Sequence, residues 1–184
     1  MVEFPYWRIA GAYFFYFAYL GTFAPYFSLY LKSLNIAAAG IGVIMSLPQL
    51  VRIVAPHLWG WLTDRSGRHL RVARIASVIG TVAYCALFAV SDFDALFAVV
   101  LVMTFFLSAS LPQIEVVTLS HLGEKTALYG RVRVWGSIGF IVGVVVRAVT
   151  GIEPLALGLG VVAGVITMML TDAIRGYRLL EWLR

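Results

Sequence analysis

Long apolar segments, separated by short polar connections, constrain this chain more than any other feature. Six of them follow one another, and we predict helices at about 7–31, 39–62, 71–91, 94–119, 132–149 and 153–174. A helix needs roughly 20 apolar residues to cross the hydrocarbon core of a bilayer. The sequence therefore predicts an all-α integral membrane protein, a single transmembrane domain over residues 1–184 built as a six-helix bundle.

The composition excludes a water-soluble domain. Hydrophobic residues make up 61% of the chain and charged residues 12%, and the mean hydropathy is +0.92. The first apolar segment is too long for the core of a signal peptide, so we interpret it as a retained helix. Because Cys85 is the only cysteine, the sequence predicts neither an internal disulfide nor a cysteine zinc cluster.

Basic residues are concentrated in alternate connections. They cluster after the second, fourth and sixth predicted helices, whereas the opposite side carries mainly acidic residues. This bias predicts that both termini face the cytoplasm in a multi-pass protein of the inner (plasma) membrane. Topology accounts for the net charge of +5, so nucleic acid is not a predicted partner. The basic residues concerned are Arg65, Arg68, Arg71, Arg74, Lys125, Arg131, Arg133, Arg175, Arg178 and Arg184.

Two opposite charges lie within the predicted fourth and fifth helices. Glu115 and Arg133 are each nine positions from Glu124, the centre of the connection between those helices. If the helices are antiparallel neighbours, the carboxylate and the guanidinium lie at similar depth. A charge inside a bilayer is costly and usually faces a partner or a watery cavity. The pair therefore predicts a polar ligand site inside the membrane.

Glycines at helical spacing predict close helix packing. Gly136, Gly139 and Gly143 recur in the fifth helix, and small residues of this kind let two backbones approach in lipid. Prolines within the second and fourth helices predict bends, which transporters tolerate near cavities. These prolines are Pro48, Pro56 and Pro112.

The sequence contains no pattern typical of an enzyme. His57, His69 and His121 lie on different segments and lack metal-ligand spacing. No nucleophile–base pair and no phosphate-binding glycine loop is evident. We therefore predict no catalytic residues, no metal and no cofactor.

The stretch from Gly60 to Arg68 combines a carboxylate with arginines and glycines near a helix end. Physical chemistry accounts for part of this pattern. Asp64 lies near the carboxyl end of a helix, where the dipole disfavours an anion, and Arg65 or Arg68 can compensate it. Gly67 permits a tight turn. The stretch resembles the G-x-L-x-D-R-x-G-R loop between the second and third helices of the major facilitator superfamily. That resemblance implies the amino-terminal six-helix half of this fold. It also implies a cytoplasmic gating loop formed by Gly60, Asp64, Arg65, Gly67 and Arg68.

A narrower resemblance concerns the start of the fifth helix. The run at 129–140, Tyr-Gly-Arg-Val-Arg-Val-Trp-Gly-Ser-Ile-Gly-Phe, is similar to the lactose permease and phenylpropionate permease group, as is the run at 26–32. The resemblance implies that Glu115 and Arg133 bind substrate. The family-like part covers residues 6–150, and the last helix and basic tail at 151–184 are less similar.

Two positions differ from the lactose permease pattern. Phe140 replaces the tryptophan that stacks on a galactoside, so the resemblance does not imply a galactoside here. Arg52 stands where lactose permease has an apolar residue and the phenylpropionate permease type has arginine. Arg52 could capture a substrate carboxylate, or it could pair structurally with Glu115 or cap backbone carbonyls, and both interpretations stay open.

The resemblance implies a proton-coupled symporter for a small organic solute such as an aromatic acid, a sugar or a nucleoside, present as a half-length chain. Its expected partners are the lipid bilayer, the solute and protons. A homodimer or a separate chain would supply the second half. The alternative is a truncated remnant without transport activity, or a membrane anchoring or interaction module.

Overall fold

The computed structural model describes residues 6–67, 69–122, 127–151, 158 and 162. Within these residues the chain forms seven α-helices and one short 3-10 turn. They are α1 (Tyr6–Phe23), α2 (Phe27–Ser33), α3 (Ala38–Ser66), α4 (His69–Ala86), the turn Leu87–Ala89, α5 (Phe93–Leu107), α6 (Ser110–Leu122) and α7 (Ala127–Thr150).

The predicted first helix is divided in two. Pro25 has no N–H to donate to the Gly21 carbonyl, and its ring crowds that oxygen. Accordingly α1 ends at Phe23 and α2 begins at Phe27. The predicted single helix at about 7–31 is therefore wrong at this point, and the proline explains the break.

The predicted fourth helix is also divided, at the place where a bend was expected. Pro112 lacks the N–H that the Ser108 carbonyl would accept, and α5 and α6 are separate helices on either side of Ser108. Pro48 and Pro56, by contrast, lie inside the continuous helix α3. The neighbouring turns therefore absorb these two prolines without ending the helix.

Helix α3 is longer than predicted at its carboxyl end. It continues to Ser66, and Gly67 then adopts a left-handed conformation with φ of 58°. The Gly67 N–H donates to the Thr63 carbonyl at 2.9 Å, which closes the helix. The gating-loop residues Asp64 and Arg65 consequently stand in the last helical turn and not in a loop.

Three apolar helical stretches among the described residues are long enough to cross a membrane. They are Ala38–Ser66, Phe93–Ser120, which α5 and α6 form together, and Ala127–Val149. A shorter apolar stretch covers Ile75–Ala89. The all-helical membrane class is thus supported. The predicted sixth helix and the basic tail fall outside the described residues, apart from Gly158 and Val162.

Helices α1 and α7 form the largest interface between described helices. Gly139 lies against the backbone of Phe14, and Gly143 lies against the backbone of Ala18. At both positions a Cβ atom would overlap the neighbouring main chain. The close packing predicted from these glycines is confirmed, and the pairing places α7 directly beside the aromatic helix α1.

A ladder of aromatic rings crosses the break between α1 and α2. Tyr19 stacks on Phe23 with 5.6 Å between ring centroids, Phe23 on Phe27 at 4.4 Å, and Phe27 on Tyr30 at 6.2 Å. The interplanar angles are only 20°, 28° and 22°. Tyr84 of α4 packs edge-on against Tyr19 at 5.8 Å. The rings therefore connect the two helices where the backbone hydrogen bonds are interrupted.

Two tyrosine hydroxyls attach the segment around α2 to other helices. The Tyr26 hydroxyl donates to the Val144 carbonyl of α7 at 3.3 Å. The Tyr30 hydroxyl donates to the Leu87 carbonyl, just after α4, at 3.1 Å. Helix α2 is thus joined to both sides of the bundle.

Candidate functional site

Helix α1 lies between the helices that carry the two predicted intramembrane charges. It contacts α7 extensively and also contacts α6, whereas α6 and α7 touch each other less. Glu115 stands on α6 and Arg133 on α7, and both are half-buried. Helix α1 contributes Tyr13, Tyr16 and Phe17 to the packing in this region.

The Arg133 guanidinium lies on the faces of aromatic rings. Its Cζ atom is 4.3 Å from the ring centroid of Phe17 and 5.4 Å from that of Tyr13. A Cβ atom at Gly136 would lie 2.8 Å from the Phe17 ring and 3.0 Å from Nη1 of Arg133. Glycine at position 136 therefore leaves the space in which the guanidinium reaches the ring. Cation–π contacts of this kind stabilise a charge best where water is scarce.

Three predicted site residues, Arg52, Glu115 and Arg133, lie within electrostatic range of Tyr16. In the described part of the chain, no hydrogen bond or ion pair joins them to Tyr16 or to one another. Within the described part of the chain, neither Glu115 nor Arg133 is joined to an oppositely charged side chain by a direct ion pair. The carboxylate and the guanidinium thus share a neighbourhood while each keeps hydrogen-bonding capacity for another molecule.

Two buried polar atoms near this cluster are without a hydrogen bond. They are the Tyr13 hydroxyl and Oε1 of Gln113, counted among the residues that the structure describes. The Thr118 hydroxyl lies close to the Tyr13 hydroxyl; it donates to the Ile114 carbonyl at 2.6 Å, and its oxygen can still accept from Tyr13. A buried polar atom without a partner is costly, so a water molecule or a ligand group would be stabilised here.

The other two predicted substrate-binding residues are more exposed. Arg52 stands on α3, and its Nη1 makes one long bond, 3.4 Å, to Oε1 of Gln49 on the same helix. Phe140 lies on α7 with 37% of its surface exposed, and its backbone faces Gly21 of α1. Its ring contacts no other aromatic ring in the described part of the chain, so Phe140 is separate from the rings around Arg133.

The predicted gating residues lie together at the end of α3. Gly60 and Asp64 are within the helix, Asp64 is exposed, and Gly67 terminates the helix. The Arg65 guanidinium lies 5.6 Å from an indole ring of its own helix. Arg68 falls outside the described residues. Arg65 and Arg68 were the two cations expected to compensate Asp64. Arg65, which the structure describes, contacts an aromatic ring.

The aromatic partners of Arg133 could have been found from the sequence. Tyr13, Tyr16 and Phe17 follow the i, i+3, i+4 spacing of a single helical face. Because aromatic residues occur on every face of α1, however, the sequence did not indicate which face contacts Arg133. The described residues include no cluster of metal-binding side chains.

The chain is similar to one protein family and to known bacterial transporters. The profile of the family described as "MFS_1 like family" matches residues 6–174. A maltose permease of Geobacillus stearothermophilus is 33% identical over 134 residues, which are 72% of this chain and 34% of the permease. A probable 3-phenylpropionic acid transporter of Escherichia coli is 23% identical over 169 residues, which are 92% of this chain and 44% of the transporter.

A solved structure supports the same arrangement of helices. The crystal structure of the nucleoside transporter NupG superposes with a TM-score of 0.83 at 23% identity, covering 90% of this chain and 43% of that one. This likeness concerns the fold alone. The chain spans about a third of the length of the maltose permease and less than half of the length of the other two relatives.

Proposed function

This chain belongs to the MFS_1 like family of the major facilitator superfamily of membrane transporters, and from that premise we propose that it forms half of a proton-coupled symporter for a small organic solute. Relatives with the same fold are described as transporters of a sugar, an aromatic acid and a nucleoside. The same three classes are the candidate substrates here.

The observation that carries the proposal is the half-buried Arg133 guanidinium on the Phe17 ring, which makes no direct ion pair within the described residues. We assign Arg52 and Glu115 to the same site. Two guanidiniums and one carboxylate leave one positive charge in excess. A ligand with a single carboxylate would neutralise it, and guanidinium binds carboxylate through two parallel hydrogen bonds. Among the three classes, the charge balance therefore favours the aromatic acid.

The proposed binding mode assigns a role to each group. Arg133 stays on the Phe17 ring and binds the ligand carboxylate with its free edge, and Arg52 approaches from α3. Glu115 accepts a hydrogen bond from the ligand. Tyr16 donates a hydrogen bond to either carboxylate. In this family of folds two six-helix halves rock around a site near the midplane, so a second copy or a separate chain would complete the pathway.

Ligand binding by the reconstituted chain tests this proposal. The protein is placed in lipid nanodiscs, and its affinity for 3-phenylpropionate, maltose and uridine is measured by isothermal titration calorimetry. We expect 3-phenylpropionate to bind, and Arg133→Ala to weaken it by tenfold or more, since a charge-assisted hydrogen bond contributes about 1.5–3 kcal/mol.

Matched variants separate the site from general charge effects. Arg131→Ala removes an exposed cation two residues from Arg133 on the same helix, and Asp94→Asn removes an exposed carboxylate from α5. Both should bind as the unaltered chain does. Binding that is equal in Arg133→Ala and Arg131→Ala would refute the assignment. A chain that binds none of the three ligands would instead favour the anchoring or interaction module.

A further inference from the structure

The break between α5 and α6 is held by a side chain from another helix. Trp59, near the carboxyl end of α3, is 7% exposed, and its indole Nε1–H donates to the Phe105 carbonyl of α5 at 3.0 Å. The two rings also pack, with 5.1 Å between centroids, and Phe106 lies 5.7 Å from the same indole. This bond thus joins α3 to the last turn of α5.

The Phe105 carbonyl can accept this bond because the helix is interrupted there. In a continuous helix it would accept the N–H of Ala109, but that N–H donates to Phe106 at 3.2 Å instead. The Ser108 hydroxyl also donates to the Phe105 carbonyl, at 2.6 Å. A backbone acceptor freed by the break is therefore satisfied by two side chains.

A second tether lies just after the break. The hydroxyls of Ser77 on α4 and Ser110, the first residue of α6, are 3.0 Å apart in a buried hydrogen bond. Ala109, between the two helices, is fully buried against the Trp59 cluster. The break is consequently bonded to α3 on one side and to α4 on the other. Helix α6, whose direction these bonds determine, carries Glu115.

We propose that Trp59 and Ser77 are positioning residues, which fix the angle between α5 and α6 and thereby hold the position of Glu115 on α6. Trp59 is separated from Asp64 by little more than one turn of α3. A movement of the gating-loop end of α3 would therefore pull on the Phe105 carbonyl and shift the carboxylate. This inference rests on the proposed function for its consequence, but its geometric part can be tested without any ligand.

The angle at the break can be measured directly with spin labels. Val102 on α5 and Leu119 on α6 are both exposed apolar positions on either side of the break. A straight helix would place their Cα atoms about 25 Å apart, within the range of pulsed electron paramagnetic resonance. In a cysteine-free background, labels at these positions should give one narrow distance distribution. Trp59→Phe keeps an aromatic side chain, although a smaller one, and removes the donor, and should broaden that distribution.

A matched variant on the same helix provides the control. Trp61→Phe makes the same chemical change at a side chain that is 60% exposed, and should leave the distribution unchanged. Equal distributions in the unaltered chain, Trp59→Phe and Trp61→Phe would overturn the proposal. If Trp59→Phe does not fold, Ser77→Ala removes the second tether and leaves the aromatic packing in place. An unchanged distribution in Ser77→Ala would then overturn it.

Binding measurements test the consequence for the site. Because a hydrogen bond of this kind contributes modestly, Trp59→Phe should weaken 3-phenylpropionate binding by about two- to tenfold. If the effect acts through Glu115, Trp59→Phe in a Glu115→Gln background should cause no further loss. Full additivity would contradict the coupling to Glu115. A chain that binds no ligand but shows the broadened distribution would refute the proposed function and support the tether.

Discussion

Replacing Gly139 with alanine is the most direct test of the α1–α7 interface. A Cβ atom there would lie 2.8 Å from the carbonyl carbon of Phe14 and 2.9 Å from its Cα, with the carbonyl oxygen closer still. Ordinary contacts fall between 3.4 and 4 Å. Backbone atoms cannot rotate away as a side chain can. The helices must therefore separate by about 0.6 Å or more at this point, which weakens the surrounding dispersion contacts.

The expected cost follows from two opposing effects. Overpacking of a tight interface destabilises by about 1–3 kcal/mol, and contact with a rigid backbone puts this case at about 2–3 kcal/mol. Alanine is a better helix former than glycine by about 0.8–1 kcal/mol. We therefore expect Gly139→Ala to lower the free energy of unfolding by about 1–2 kcal/mol.

Gly130 provides a matched control on the same helix. A Cβ atom at Gly130 meets nothing within 4 Å, so only the gain in helix propensity should remain, about 0.5–1 kcal/mol. Both variants can be compared by unfolding in mixed micelles of increasing SDS content, followed by tryptophan fluorescence and circular dichroism. The reasoning fails if Gly139→Ala proves as stable as Gly130→Ala, because the interface would then tolerate the extra methyl group.

Further predictions concern the site, the turn, the topology and the assembly. Phe17→Leu removes the ring under Arg133, and ligand affinity should fall about two- to thirtyfold in calorimetry, as expected for a cation–π contact of about 0.5–2 kcal/mol. Gly67→Val places a branched side chain at φ of 58° and should destabilise the fold by about 1–2 kcal/mol in SDS unfolding. Without the native cysteine, a cysteine at Ser66 should react with impermeant maleimide only from the cytoplasmic side and one at Ser91 only from the opposite side; the reverse labelling would contradict the predicted topology. A preparation verified as monomeric should show no saturable proton-coupled uptake into proteoliposomes, since alternating access requires two halves.

The helical membrane architecture could be predicted because it depends on composition and segment length. The lengths of apolar segments are a property of the sequence alone. Helix ends were predicted less accurately. Residues 63–66 are charged or polar and were assigned to a loop, but α3 continues through them. Charged side chains are compatible with a helix that projects into water, and the helix ends only at Gly67, where the backbone becomes left-handed.

The chemistry around Arg133 was predicted only in part. The spacing from Glu124 suggested a meeting with Glu115, and the two residues stand half-buried on the contacting helices α6 and α7. The rotation of α7 about its axis then decides which side chain the guanidinium touches. That rotation is set by the fit of Gly139 and Gly143 against α1, a three-dimensional match that spacing alone cannot specify. The result is contact with the Phe17 ring.

The aromatic ladder between α1 and α2 has a mechanical consequence. Any change of angle at Pro25 would have to pull Phe23 away from Phe27, the closest pair in the stack, and would also break the hydroxyl bonds at Tyr26 and Tyr30. The interruption between α1 and α2 is thus held at a fixed angle and is not a hinge. Helix α2 therefore moves together with α1 and with the helices to which both are bonded.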